Sequence, residues 1–295
     1  MSGNFDPSLE KYKPDDQKKP ALCVQDLVDE FLRHKQKQVS NRTTEKYRAF
    51  GRHLQQFFTR RAVIDVDAVQ ADKFRLAFLA KDLEPATVKS ILGFGQSCWE
   101  WAIAKHRVVE SPWPAVQKLV KVPPKQKPKP FTQAEIRAIV TGFRQHRYYK
   151  HYTEFVEFRL DTGCRIAEAA GLKFKHISDD GSQAWIGETY SRGEWKPTKT
   201  NEARWVNLPK RARQIIEQRR QQQSTPDDVI FPGPRGVPID DHTFSQRIWK
   251  AVLKEAGVEF RVFYNTRHTV ISQALEGVRP LPDTKVVKAF DWQGF

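Results

Sequence analysis

The chain is 295 residues long and carries 50 Lys and Arg against 35 Asp and Glu, a formal charge of +15 at pH 7. That length exceeds what one hydrophobic core usually organises, and a content of 39% hydrophobic and 12% aromatic residues excludes a disordered polyelectrolyte despite a mean hydropathy of −0.65. The basic excess favours a polyanion such as nucleic acid as partner, while Cys23, Cys98 and Cys164 are too sparse for a disulfide framework and no apolar run approaches a membrane span, so we expect a cytoplasmic protein without membrane association.

The first 20 residues lack an apolar core and are expected to form a disordered tail. From Ala21, the spacing of Val24, Leu27, Val28, Phe31 and Leu32 predicts a helix. A second helix is expected with Thr43 or Thr44 as its cap and Tyr47, Phe50, Leu54, Phe57 and Phe58 on its apolar stripe. Val69 to Leu79 forms a shorter helical stretch, and Pro85 opens a long one that buries Val88, Ile91, Leu92, Trp99, Ala102 and Ile103. Residues 21–116 therefore read as a small all-helical domain.

Residues 117–130, QKLVKVPPKQKPKP, hold five lysines, four prolines and no acid. Such a stretch favours extended backbone and reads as a basic linker. It is either a solvated connector or a strand of lysines lying along phosphates, with Lys118, Lys121 and Lys125 the candidate contacts. Phe131 to Ile136 then supplies a capping box, Thr132 with Glu135, and a hydrophobic staple, Phe131 with Ile136. A second domain, 131–295, begins there. Within it a strand Ala184 to Tyr190 is expected to pair with Arg204 to Leu208, and a helix from about His242 to Ala256 stops at Gly257. The fold class is mainly α, with a small antiparallel β-sheet confined to the second domain.

Three segments of that domain carry chemistry. In Asp161-Thr162-Gly163-Cys164-Arg165-Ile166-Ala167-Glu168, Gly163 breaks one helix and Arg165 opens the next, where an arginine can either grip a phosphate or pair with Glu168 at the surface. In Pro197-Thr198-Lys199-Thr200-Asn201-Glu202-Ala203-Arg204, a lysine rides at a hairpin tip. In Phe263-Tyr264-Asn265-Thr266-Arg267-His268, a further arginine opens a helix striped by Val270, Ile271 and Leu275.

In this order the segments resemble the two boxes and the hairpin lysine of tyrosine recombinases of the phage-integrase type. The resemblance spans most of residues 21–276. It implies a core-binding domain and a catalytic domain forming a clamp on double-stranded DNA, a homo-oligomer on that DNA, and a transesterification needing no metal or other cofactor. It assigns Arg165 and Arg267 to the scissile phosphate, Lys199 to proton donation to the leaving 5′-hydroxyl, and Glu168 to orienting the site. His268 is expected to make a structural hydrogen bond. Two departures stand out. Tyr264 occupies the place of the family's usual histidine, and no tyrosine follows it, so no residue is available here for the family's nucleophile. The second domain is accordingly expected to be incomplete at its C-terminus. Trp292 reads as a packed aromatic, and His146 and His151 are not spaced for a metal. The expected function is a site-specific recombinase or integrase lacking its nucleophile, with an inactive DNA-binding protein or a decayed integrase product as the alternatives.

Overall fold

The computed structural model describes residues 22–124, 128–198, 202–222 and 225–275. The expected N-terminal tail, Lys125, Lys199 and Trp292 lie outside the described residues. The chain divides into two compact units between residues 125 and 126.

Among the described residues the first unit holds five α-helices: α1 (Val24–Gln36), α2 (Asn41–Phe58), α3 (Ala68–Leu79), α4 (Pro85–Ala104) and α5 (Trp113–Lys118). Each start follows from local chemistry. Cys23 caps α1 by accepting from the Asp26 amide, Asp67 caps α3, and Pro85 occupies the first turn of α4, where its missing N–H is not needed. The cap of α2 is Ser40, which accepts from the Thr43 amide; Thr43 and Thr44 already lie inside the helix, and the Thr44 hydroxyl donates back to the Ser40 carbonyl. Of the expected stripe on α2, Leu54 and Phe58 are buried, whereas Phe57 turns outward against Phe58 and Phe74. Trp113 is the centrepiece of this core. Its ring meets Trp99 edge-on at 5.3 Å and lies so close to α4 that a Cβ on Gly95 would stand 2.8 Å from Cε2. Helix α5 carries the unit past the expected boundary at residue 116: Gln117 bonds Gln96, and Val120 is buried in the same core. Two apolar anchors, Val116 and Val120, hold the start of this lysine-rich stretch against the core, and the division between the units falls within the expected 117–130 linker. Lys118 and Lys121 are exposed beside them.

The second unit begins with α6 (Gln133–Gln145), whose Thr132–Glu135 capping box forms as expected. It continues through α7 (Thr153–Thr162), α8 (Ile166–Ala170), β1 (Gln183–Ile186), β2 (Glu188–Ser191), β3 (Glu194–Pro197), β4 (Arg204–Asn207) and α9 (Lys210–Arg220). A last set of helices comprises α10 (Asp241–Thr243), a π turn over Phe244–Ile248, α11 (Trp249–Glu255) and α12 (Asn265–Leu275). Gly257 ends α11 in the left-handed conformation at φ 66°. The core between these helices is aromatic: Phe131, Phe143, Phe155, Phe158, Phe231, Phe244, Trp249 and Phe263 are all buried.

The single expected strand is in fact two. β1 pairs antiparallel with β4, Ile186 opposite Arg204, and β2 pairs with β3, Ser191 opposite Glu194. Gly187 lies between them, and the Trp185 indole fills the space a Cβ there would need, 2.0 Å away. The tip of the β2–β3 hairpin is Arg192-Gly193, both at positive φ, as a two-residue turn matched to strand twist requires.

Helix α12 departs from its expected stripe. Val270 is buried, but Leu275 is exposed, and the inward face is largely polar: Asn265, Thr266, Arg267, Thr269 and Gln273. Thr269 accepts from the Phe131 amide at 2.9 Å while donating to the Asn265 carbonyl, and Asn265 donates to the Lys129 carbonyl. This helix docks through hydrogen bonds to the segment before α6, which apolar periodicity cannot register.

Candidate active site

Glu168 is the hub of the site. It lies in the first turn of α8 and is 1% exposed. Its Oε2 accepts from the Arg165 amide and from Arg204 Nη2, and its Oε1 accepts from Arg165 Nη1, each at 2.8 Å. Burial pushes its carboxyl up, but the bonds and charge of Arg204 and the bonds from Arg165 outweigh that and hold it below the ordinary glutamate value. The Arg165–Glu168 pair weighed from the sequence therefore exists, though around a buried carboxylate and not at the surface. Burial opposes the charge of Arg165 too, yet the Glu168 carboxylate, through its hydrogen bond and its charge, raises it above the usual arginine value.

The turn before Arg165 is fastened on all sides. Gly163 is left-handed at φ 65°, and Val270 of α12 packs 3.3 Å from where its Cβ would be. Arg267 Nη1 donates to the Gly163 carbonyl, and Arg159 Nε donates to the next one, on Cys164, at 3.0 Å. Arg267 is 7% exposed, and burial, aided by the charge of Arg165, lowers its pKa. Thus the two box arginines, Arg165 and Arg267, converge on one turn, with Glu168 and Tyr264 beside them. Tyr264 is 42% exposed and meets the His268 ring edge-on at 5.2 Å. The His268 side chain makes that ring contact and no side-chain hydrogen bond among the described residues; burial, with Arg267 nearby, lowers its pKa.

Two members were not assigned to the site from the sequence. Arg204 was noted only as opening a strand, yet it is the second cation on Glu168. Arg159 is wholly buried in α7, its guanidinium 4.0 Å from the Phe263 ring centroid, and burial pushes it down to about 9, which leaves it cationic at neutral pH. A signal existed: Arg159 stands four residues after Phe155 and four before Gly163, on the inward face of α7, where an arginine is costly to bury. Four guanidinium groups thus surround one carboxylate, an excess of three positive charges. Such fixed donors stabilise an oxyanion with no reorganisation at the moment charge develops.

The second unit is thus a mainly helical fold with a small antiparallel strand element, in which a helix start and a later helix present paired arginines. The chain belongs to the phage integrase family: the family model described as "Phage integrase family" matches residues 129–293. The integrase of Salmonella phage P22 is 28% identical over 137 residues, which is 43% of this chain and 33% of the phage protein. Among solved structures, the Tn1549 transposon integrase in complex with circular intermediate DNA superposes with a TM-score of 0.74 at 16% identity, covering 87% of this chain and 88% of that one. A lambda integrase dimer bound to a core site gives 0.67 at 13% identity, with 87% and 91% covered. A lambda integrase tetramer bound to a Holliday junction gives 0.68 at 14%, with 94% and 80% covered. At those identities the likeness is one of fold.

Proposed function

We propose that the second unit holds a DNA phosphodiester between Arg165 and Arg267, as a site-specific recombinase does when it breaks and rejoins strands. The observation that carries this reading is the excess of three positive charges around Glu168, all on guanidinium groups whose N–H forks match phosphate oxygens. In the reaction, a tyrosine oxygen bonds to phosphorus, the bond to the 5′-oxygen breaks, and the 3′-phosphate stays on the tyrosine, so bond energy is conserved. Arg165 and Arg267 would stabilise the charge on the non-bridging oxygens, and Lys199 would protonate the departing 5′-oxygen. The Tyr264 phenol would donate to a phosphate oxygen where the family usually has histidine, and Glu168 would orient Arg165. The first unit, as a core-binding domain, would grip the duplex, with Lys118, Lys121 and Lys125 along the backbone. Assembly as a homo-oligomer on DNA draws support from the dimeric and tetrameric DNA complexes of lambda integrase.

A second reading, DNA occupancy without a covalent link, draws on one observation: no tyrosine follows Tyr264 within the 295 residues. Under it these residues alone hold the phosphate, and strand cleavage needs a tyrosine from elsewhere. Both readings are tested on duplexes selected from a random pool. Affinity should fall steeply between about 50 and 200 mM salt. Arg165→Ala or Arg267→Ala should erase interference at one phosphate, and Lys118→Ala or Lys121→Ala should weaken binding without erasing it. A flat salt response, or four variants with identical footprints, overturns the phosphate site. A protein-linked 3′ end formed by the 295 residues overturns the non-covalent reading.

A further inference from the structure

We infer that Arg159 is a positioning residue of the anion site, tying the turn that presents Arg165 to the segment that presents Tyr264 and Arg267. The inference deepens the proposed phosphate site and rests on it. Three contacts place Arg159 there. Its Nε holds the Cys164 carbonyl at 3.0 Å, the peptide oxygen immediately before Arg165. Its guanidinium lies 4.0 Å from the centroid of Phe263, the neighbour of Tyr264. The adjacent carbonyl, on Gly163, is held by Arg267 itself. Two buried guanidinium groups therefore clamp consecutive carbonyls of one turn, and a shift of either moves both phosphate-facing arginines.

Fold stability alone does not account for an arginine at this place. Arg159 is 0% exposed, and its Nη1 and Nη2 are buried with no hydrogen-bond partner among the described residues. Among the described residues no carboxylate pairs with it directly; Glu168 acts on it only at longer range, and Arg267 opposes it. A buried cation so poorly matched costs stability, and an apolar side chain of similar length would cost less. What the arginine contributes is the fixed geometry of the turn and a third positive charge behind the two that face the anion.

The test uses the full chain and inorganic phosphate as probe, followed through the arginine Nε–H signals by NMR, with thermal unfolding recorded for each variant. The wild type should show saturable shifts that Arg165→Ala abolishes. Arg159→Met should unfold at the same temperature or higher yet bind phosphate about tenfold more weakly, about 1.4 kcal/mol. Arg159→Lys, which keeps the charge and one donor for the Cys164 carbonyl, should recover most of that loss. If Arg159→Met binds as the wild type does while Arg165→Ala does not bind, the role of Arg159 is refuted and the anion site stands. If Arg165→Ala binds as well as the wild type, or the wild type does not bind, the anion site itself fails. A loss in Arg159→Met accompanied by a lower unfolding temperature and no recovery by lysine reduces Arg159 to a structural residue and overturns the proposal.

Discussion

Replacing Glu168 by glutamine removes the hub of the site while leaving its shape. The carboxylate accepts three charge-assisted bonds, from the Arg165 amide, Arg165 Nη1 and Arg204 Nη2. A glutamine keeps one acceptor oxygen and turns an NH₂ toward a guanidinium or amide donor, so at least one bond is lost and one donor faces another. Bonds to a charged group contribute about 1.5–3 kcal/mol each. The Arg165 and Arg204 side chains are 32% and 29% exposed and can recover part of their hydration, which keeps the net cost near the lower figure, about 2 kcal/mol. For a unit of this size that lowers the unfolding temperature by about 4–8 °C. Thermal melts followed by tryptophan fluorescence measure it, with Glu194→Gln as control. Glu194 pairs with Lys196 on the exposed β3 strand at 2.7 Å, and its loss should fall within about 0.5 kcal/mol. A Glu168→Gln melt no lower than that of the control would refute the hub.

The remaining predictions follow from the same turn. Gly163→Ala forces a Cβ into the left-handed conformation and against Val270, so it should cost about 1–2 kcal/mol in denaturant unfolding and weaken phosphate binding with it; an unchanged midpoint would show that the turn adapts. Acid should act through Glu168. Its folded-state pKa lies below the ordinary value, so the stability it contributes is present above the unfolded-state value and is lost as pH falls through the folded one. Melts at pH 7, 5, 4 and 3 should show the wild type and Glu168→Gln differing fully at pH 7 and 5 and converging below about pH 4; a gap that widens in acid would contradict the sign.

Much of this protein was legible along the chain. The helices of the first unit rest on three-and-four spacing of large apolar side chains, and the capping box at Thr132 depends on residues within one turn of each other, so both could be read locally. Arg165 and Glu168 could be found because both stand within one short segment with Gly163, and Arg267 because Phe263 to His268 resembles the second box of the family. What the tertiary structure decided involves partners far apart in sequence. Arg204 meets Glu168 across 36 positions and Arg267 meets Gly163 across 104, and neither contact leaves a periodic trace. The same holds for α12, whose inward face is polar because it docks by hydrogen bonds to residues 129–131. That position 187, between two strands, has no room for a Cβ likewise shows only once Trp185 is placed beside it. Arg159 is the sharpest case: by composition it is one more basic residue among fifty Lys and Arg. Only the packing of α7 against Phe263 and the Cys164 carbonyl turned it into a buried cation at the centre of the site, because burial is a property of what surrounds a side chain and not of the side chain itself.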